Sequence, residues 1–259
     1  MTALLALAFA LTFTGIAGAA VLDVCAAGCT YSTVKGAVAA ASSGDVVELA
    51  NETFNEGGIT IDENITVRSA SGMAVIDAGS YGWVFKIASA AVVDLEDLRL
   101  EGGTYCRLDN SGEVTLSTVY VLGNGTSQPS TLGGIVNWGS ASMTITASSI
   151  VAYNASHTYG TSTFGGGITN YGDLVISGYS TVFDNRGVNG GGLHNDGGTV
   201  SVLSSYFYAN EASNKGGAWA NVDSSSGTVA FHSSSTAAGN LADVDCDVSW
   251  DNVSSSCVN

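Results

Sequence analysis

Basic residues are nearly missing from this chain. Lys and Arg number 7 in 259 residues, against 23 Asp and Glu, for a formal net charge of −16. A nucleic-acid-binding protein needs a basic footprint to neutralise phosphates, so that partner class is excluded. Polyanions such as pectate meet the same repulsion unless a cation bridges them. Charge of either sign is scarce, at 12% of residues, about half the usual share. Proline occurs once, and disordered segments carry more of both. The three histidines, His157, His194 and His232, stand too far apart for metal-ligand spacing.

What remains is small, apolar and β-branched. Hydrophobic residues make up 45%, enough for a real core, and glycine occurs 34 times. Such a mixture suits short stacked strands with frequent turns. Residues 1–20 read as an export signal: the run 3–13 is apolar and uncharged, and Ala17-Gly18-Ala19 supplies a small-residue cleavage site. The mature chain is then 21–259, without a membrane span. Its expected place is secreted, on the cell surface or associated with an outer membrane. Five cysteines fit an oxidising compartment. One disulfide at each end, Cys25 with Cys29 and Cys246 with Cys257, is the simplest pairing. Cys106 is left over as a small buried apolar residue.

Two anchors recur. The first is Gly-Gly, an apolar residue and Asn. It occurs at Gly133-Gly134-Ile135-Val136-Asn137, Gly166-Gly167-Ile168-Thr169-Asn170 and Gly191-Gly192-Leu193-His194-Asn195. With one extra residue it returns at Gly216-Gly217-Ala218-Trp219-Ala220-Asn221. The second is a β-rich run ending in Asn124, Asn154, Asn185, Asn210 or Asn240. Asn170 to Asn195 spans 25 residues, and so does Asn185 to Asn210. A unit this short cannot bury its apolar face alone, but stacked units share one core. Asn at fixed phase forms ladders of side-chain amides, and glycine turns corners without a Cβ clash. The pattern predicts an all-β, right-handed parallel β-helix. Its coils run over 51–240, with an insertion at 153–164.

The segment 21–50 differs. Val34, Ala37, Val38 and Ala41 have helical spacing, with Ser32 or Thr33 as a cap. Runs at 45–49, 59–67, 74–76, 83–87 and 92–100 read as strands. A short helix would close one end of the solenoid and 241–259 the other, since bare ends expose sheet edges.

Two passages resemble pectin-lyase-like β-helix proteins. Cys25-Ala-Ala-Gly-Cys29-Thr-Tyr31-Ser-Thr-Val34 with Gly44-Asp45-Val46-Val47 is similar to their capping helix and first strand. Asn64-Ile65-Thr66-Val67-Arg68 followed by Val75-Ile76-Asp77 resembles their second coil. The Gly-Gly units, Phe183-Asp184-Asn185 and Phe207-Tyr208-Ala209-Asn210 resemble repeats of chlamydial polymorphic outer-membrane proteins. The resemblance implies a fold that hosts lyases, hydrolases and adhesins alike.

No catalytic constellation is found. The Asn-Thr-Asp, Asp-Asp and Gly-His-Gly motifs of the family's hydrolases are missing. Arg68, Arg99, Arg107 and Arg186 lack a lyase context. His194 occupies a repeat position held elsewhere by Val136 and Thr169, which marks a strand residue. Asp243, Asp245 and Asp247 alternate as on a solvated face, without the Gly and Glu of a calcium loop. No metal and no cofactor are expected. Trp138, Tyr171 and Trp219 fall at nearby phases of successive repeats, and would stack as a platform for an extracellular glycan or protein. The sequons at Asn51, Asn64, Asn124, Asn154 and Asn252 partly coincide with repeat positions. The expected function is non-enzymatic: surface display, adhesion or binding. A polysaccharide lyase or hydrolase, and a structural envelope component, are the alternatives.

Overall fold

The computed structural model describes residues 18–123, 132–156, 164–221 and 227–244. These form an all-β parallel solenoid of about 8 turns. Most of the signal segment, Cys246, Cys257 and His157 lie outside the described residues, as do Asn124 and Asn252.

Each turn visits three sheets. Sheet I has nine strands, from Val21–Val24 and Val46–Leu49 up to Thr228–Phe231. Sheet II has eight, from Thr53–Phe54 to Thr236–Ala238. Sheet III has seven, from Ile59–Ile61 to Trp219–Asn221. Later coils add a short sheet IV between II and III, made of Arg186–Asn189, Glu211–Lys215 and Leu241–Val244.

The register stacks like on like. One inward column of sheet I runs Leu22, Val47, Val67, Leu95, Leu116, Ile145, Ile176, Val202 and Phe231. Sheet III contributes Ile59, Phe85, Leu108, Ile135, Ile168, Leu193 and Trp219. Apart from Phe231, which packs against the core from its edge, every member is buried. A fully buried side chain of this size contributes about 1.5–3 kcal/mol. The same alternation turns the intervening residues outward.

Two runs that read as single strands each hold a corner. The run 59–67 divides into Ile59–Ile61 and Thr66–Ser69. The run 92–100 divides at Asp97, whose φ is 53°. The one-residue corner at Asp97 leaves the apolar alternation almost undisturbed, so periodicity alone does not reveal it.

The helix is Val34–Ala40, with Ala41 as its C-cap. Thr33 is its cap and accepts from Gly36 N at 3.1 Å. Glu56, from the following coil, accepts from Val34 N at 2.6 Å and Lys35 N at 2.9 Å. Three helix-end donors are thereby satisfied. Val34, Ala37 and Val38 are buried in the core at this end of the solenoid. Cys25 and Cys29 are disulfide-bonded, and their loop returns Tyr31 to pair with Val24. Among the described residues no helix is long and apolar enough to cross a membrane.

Both asparagine anchors are ladders. Between sheets III and I, Asn110, Asn137, Asn170 and Asn195 each donate Nδ2 to the Oδ1 of the next rung, ending at Asn221, at 2.8 Å throughout. At the exit from sheet II, Asn154, Asn185, Asn210 and Asn240 do the same at 3.0, 3.0 and 2.9 Å. The glycines form a column of their own: Gly167 N donates to Gly191 O and Gly191 N to Gly216 O, both at 3.0 Å. A Cβ on Gly191 would stand 2.6 Å from the Glu211 backbone. Glycine there lets sheet IV pass against the corner.

Candidate functional site

The outer face of sheet II and its corner carry three exposed tyrosines, Tyr153, Tyr206 and Tyr208, while Tyr81, Tyr105, Trp138 and Tyr179 are exposed elsewhere. One outward column reads Tyr120, Ile150, Thr181, Tyr206 and Thr236. Its neighbour reads Leu122, Ala152, Phe183, Tyr208 and Ala238. Phe183 and Tyr208 stack with centroids 4.9 Å apart, and Tyr153 meets Phe183 edge-on at 5.2 Å. Tyr153, Tyr206 and Tyr208 are exposed. Burial, then the Asp184 carboxylate, raises the Tyr208 phenol above its ordinary pKa.

The corner leaving this sheet is unusual. Tyr153, Asp184 and Ala209 have φ of 58°, 49° and 52°, and the next coil places Gly239 there at 62°. Residues other than glycine are costly in this left-handed region. The asparagine that follows each one holds the bend: Asn185 Nδ2 donates to Phe183 O and Val151 O, both at 2.9 Å. An open groove of about 380 Å³ lies along this corner. Its walls are Tyr153, Asn154, Ala155, Asp184, Arg186, Ala209 and Glu211. Arg186 Nε lies 3.1 Å from Glu211 Oε2, and both side chains are more than half exposed. Asp184 adds a second carboxylate.

No family model, curated protein or solved structure matches the chain. The site must be read from its own geometry.

That geometry divides the three aromatic residues Trp138, Tyr171 and Trp219. Trp138 and Tyr171 follow Asn137 and Asn170 and lie parallel, centroids 5.4 Å apart with 5° between planes. Trp138 Nε1 donates to Asp109 Oδ1 at 2.5 Å. Burial and then Asp196 raise the Tyr171 phenol's pKa. Trp219 does not extend this stack. It pairs in register with Leu193, is 2% exposed, and stacks on Phe231 at 4.2 Å inside the core. The reason is phase: from Gly165 onward the unit is Gly-Gly-(Gly or Ala)-apolar-x-Asn, so Gly216-Gly217-Ala218 matches Gly190-Gly191-Gly192 without an extra residue. Trp219 then takes the inward position.

The remaining polar candidates scatter. His194 is a buried strand residue whose pKa is lowered by burial. Ser201 Oγ and His232 Nε2 lie 3.3 Å apart. Arg68 pairs with Glu48 at 2.8 Å, and Arg99 pairs with Glu101. Arg107 is buried, donates to Gly133 O at 3.3 Å, and has its pKa lowered by burial to about 10. Burial raises the Cys106 thiol's pKa. Among the described residues no three His, Cys, Asp or Glu groups gather as a metal site. As a group the groove residues escaped sequence reasoning, which had named Asn154 only as an anchor and Arg186 only as lacking a lyase context, although Tyr153, Asp184, Arg186 and Glu211 each adjoin an anchor asparagine. Comparing the residues just before and just after each anchor would have found them.

Proposed function

We propose that the chain is exported and acts as a non-enzymatic solenoid that binds an extracellular partner through the outer face of sheet II. One observation carries this reading. The register brings Tyr206, Tyr208 and Phe183 onto one outward face, with exposed Tyr153 at its corner. Grouped exposed aromatics mark interaction surfaces more often than isolated ones do. The resemblance to pectin-lyase-like proteins and chlamydial outer-membrane repeats, carried by motifs alone, agrees with display at a surface. Two variants borrow residues from the same columns: Tyr206→Thr, after Thr181 and Thr236, and Tyr208→Ala, after Ala152 and Ala238. The double variant should keep its unfolding profile and lose saturable binding to extracellular polymers and cell surfaces. Undiminished binding would sink the proposal.

A second reading has its own observation: Asp184 and Glu211 share one groove with Arg186. A glycosidase needs two carboxyl groups, one held protonated by apolar surroundings. Glu211 is instead exposed and paired with a guanidinium, which favours binding over catalysis. Release of sugar ends from a polysaccharide panel, abolished by Asp184→Asn, would establish the enzyme instead.

A further inference from the structure

The groove beside this face has a chemistry of its own. Tyr153 offers an apolar ring, 52% exposed. Asp184, Arg186 and Glu211 offer hydrogen-bond acceptors and donors along the same wall. Small residues, Ala155 and Ala209, keep the floor open. Formal charge in the groove sums to −1, two carboxylates against one guanidinium, within a chain of −16. Polyanions are therefore opposed both locally and at a distance. A volume of about 380 Å³ falls in the range of small-ligand sites, and an open groove admits a chain rather than a closed-in molecule. A ring face for C–H surfaces, beside paired polar groups for adjacent hydroxyls, is what a pyranose presents partners for.

We propose that this groove is a subsite for an uncharged pyranose oligosaccharide, held by Tyr153, Asp184, Arg186 and Glu211. The proposal rests on the binding reading above and names the ligand class for its corner. The Trp138–Tyr171 pair is the rival platform. Its indole N–H is already committed to Asp109, and Tyr171 is half-buried.

Calorimetric titration of the full chain tests it. The probes are cellohexaose, chitohexaose, mannohexaose and laminarihexaose, with oligogalacturonate and heparin fragments as charged comparisons. At least one uncharged probe should bind, and the charged ones should not. Tyr153→Gly is the decisive variant. Its φ of 58° suits glycine, so the fold is kept while the ring is lost. Binding should weaken about tenfold or more. Arg186→Ala and Glu211→Gln should each weaken it, while Trp138→Ala should leave it unchanged. Three results would each overturn the subsite: no uncharged probe binds, Tyr153→Gly binds as well as the wild type, or oligogalacturonate binds equally. Surface binding that depends on Tyr206 and Tyr208 but not on Tyr153 would overturn the subsite while leaving the broader reading intact.

Discussion

Removing one rung from the first ladder should open the solenoid locally rather than everywhere. Asn170 is fully buried. Its Oδ1 accepts from Asn137 Nδ2 at 2.8 Å, and its Nδ2 donates to Asn195 Oδ1 at 2.8 Å and Gly172 O at 2.9 Å. In Asn170→Ala, Asn137 Nδ2 still reaches Asp173 O at 3.0 Å. Asn195 Oδ1 and Gly172 O lose the donor this side chain gave them. Gly172 O keeps its bond from Thr199 N at 2.9 Å, so Asn195 Oδ1 is the one buried acceptor stranded, which costs about 1–3 kcal/mol, and the expected loss is about 2 kcal/mol. A stacked array passes such a loss chiefly to its neighbours, and long arrays do not unfold in one step. Hydrogen exchange read by mass spectrometry is therefore the right assay. Amides of Ile168–Asn170 and Leu193–Asn195 should exchange about thirtyfold faster, while those of Val46–Leu49 stay as they were. Acceleration below about threefold, or equal acceleration at Val46–Leu49, would refute the ladder's energetic role.

Acid should weaken the fold through His194. Burial lowers its folded pKa below the unfolded 6.5, so the unfolded chain takes up more protons. The contribution is complete above about pH 6.5 and is lost as pH falls below it; His194→Thr should flatten that part of a urea-midpoint profile. Gly191→Ala should destabilise by about 1–3 kcal/mol, because its new Cβ meets the Glu211 and Gly217 backbones at 2.6 Å; an unchanged urea midpoint would contradict the packing. Ala209→Gly should stabilise by about 0.5–1 kcal/mol by relieving a φ of 52°, seen as a raised urea midpoint. Reducing the Cys25–Cys29 disulfide should cost about 2 kcal/mol, with faster exchange confined to the first coil.

The parts legible in the sequence are those that repetition enforces. A ladder needs the same residue at the same phase, so Asn137, Asn170, Asn195 and Asn221 announce themselves. Asn110 belongs to the same ladder but escapes notice, because Cys106 and Arg107 stand where other coils carry glycine. Trp219 shows how fine the margin is: aligning its unit one residue late moves it from core to surface. The groove is illegible for the opposite reason. Its walls are residues that differ from coil to coil, and a repeat reveals only what stays the same. Glu56 capping a helix more than twenty residues before it belongs to the same class, since only the stacking brings the two together.

The corner between sheets II and III has a further consequence. Turns from III to I are short, two residues between Asn110 and Glu113 and two between Asn170 and Asp173. From II to III the chain instead takes 123–134 in one coil, 153–167 in the next, and a whole extra strand in those that follow. From Asn154 onward, an asparagine rung before this corner and a glycine step after it restore the strand phase whatever lies between. Loop closure costs grow only slowly with length. The solenoid thus behaves as a ruler with one open margin: sequence can be written in or erased there without moving the marks. A protein that must meet changing partners can vary this margin freely, and a designer could graft a peptide into it while the rest of the coil stays in step.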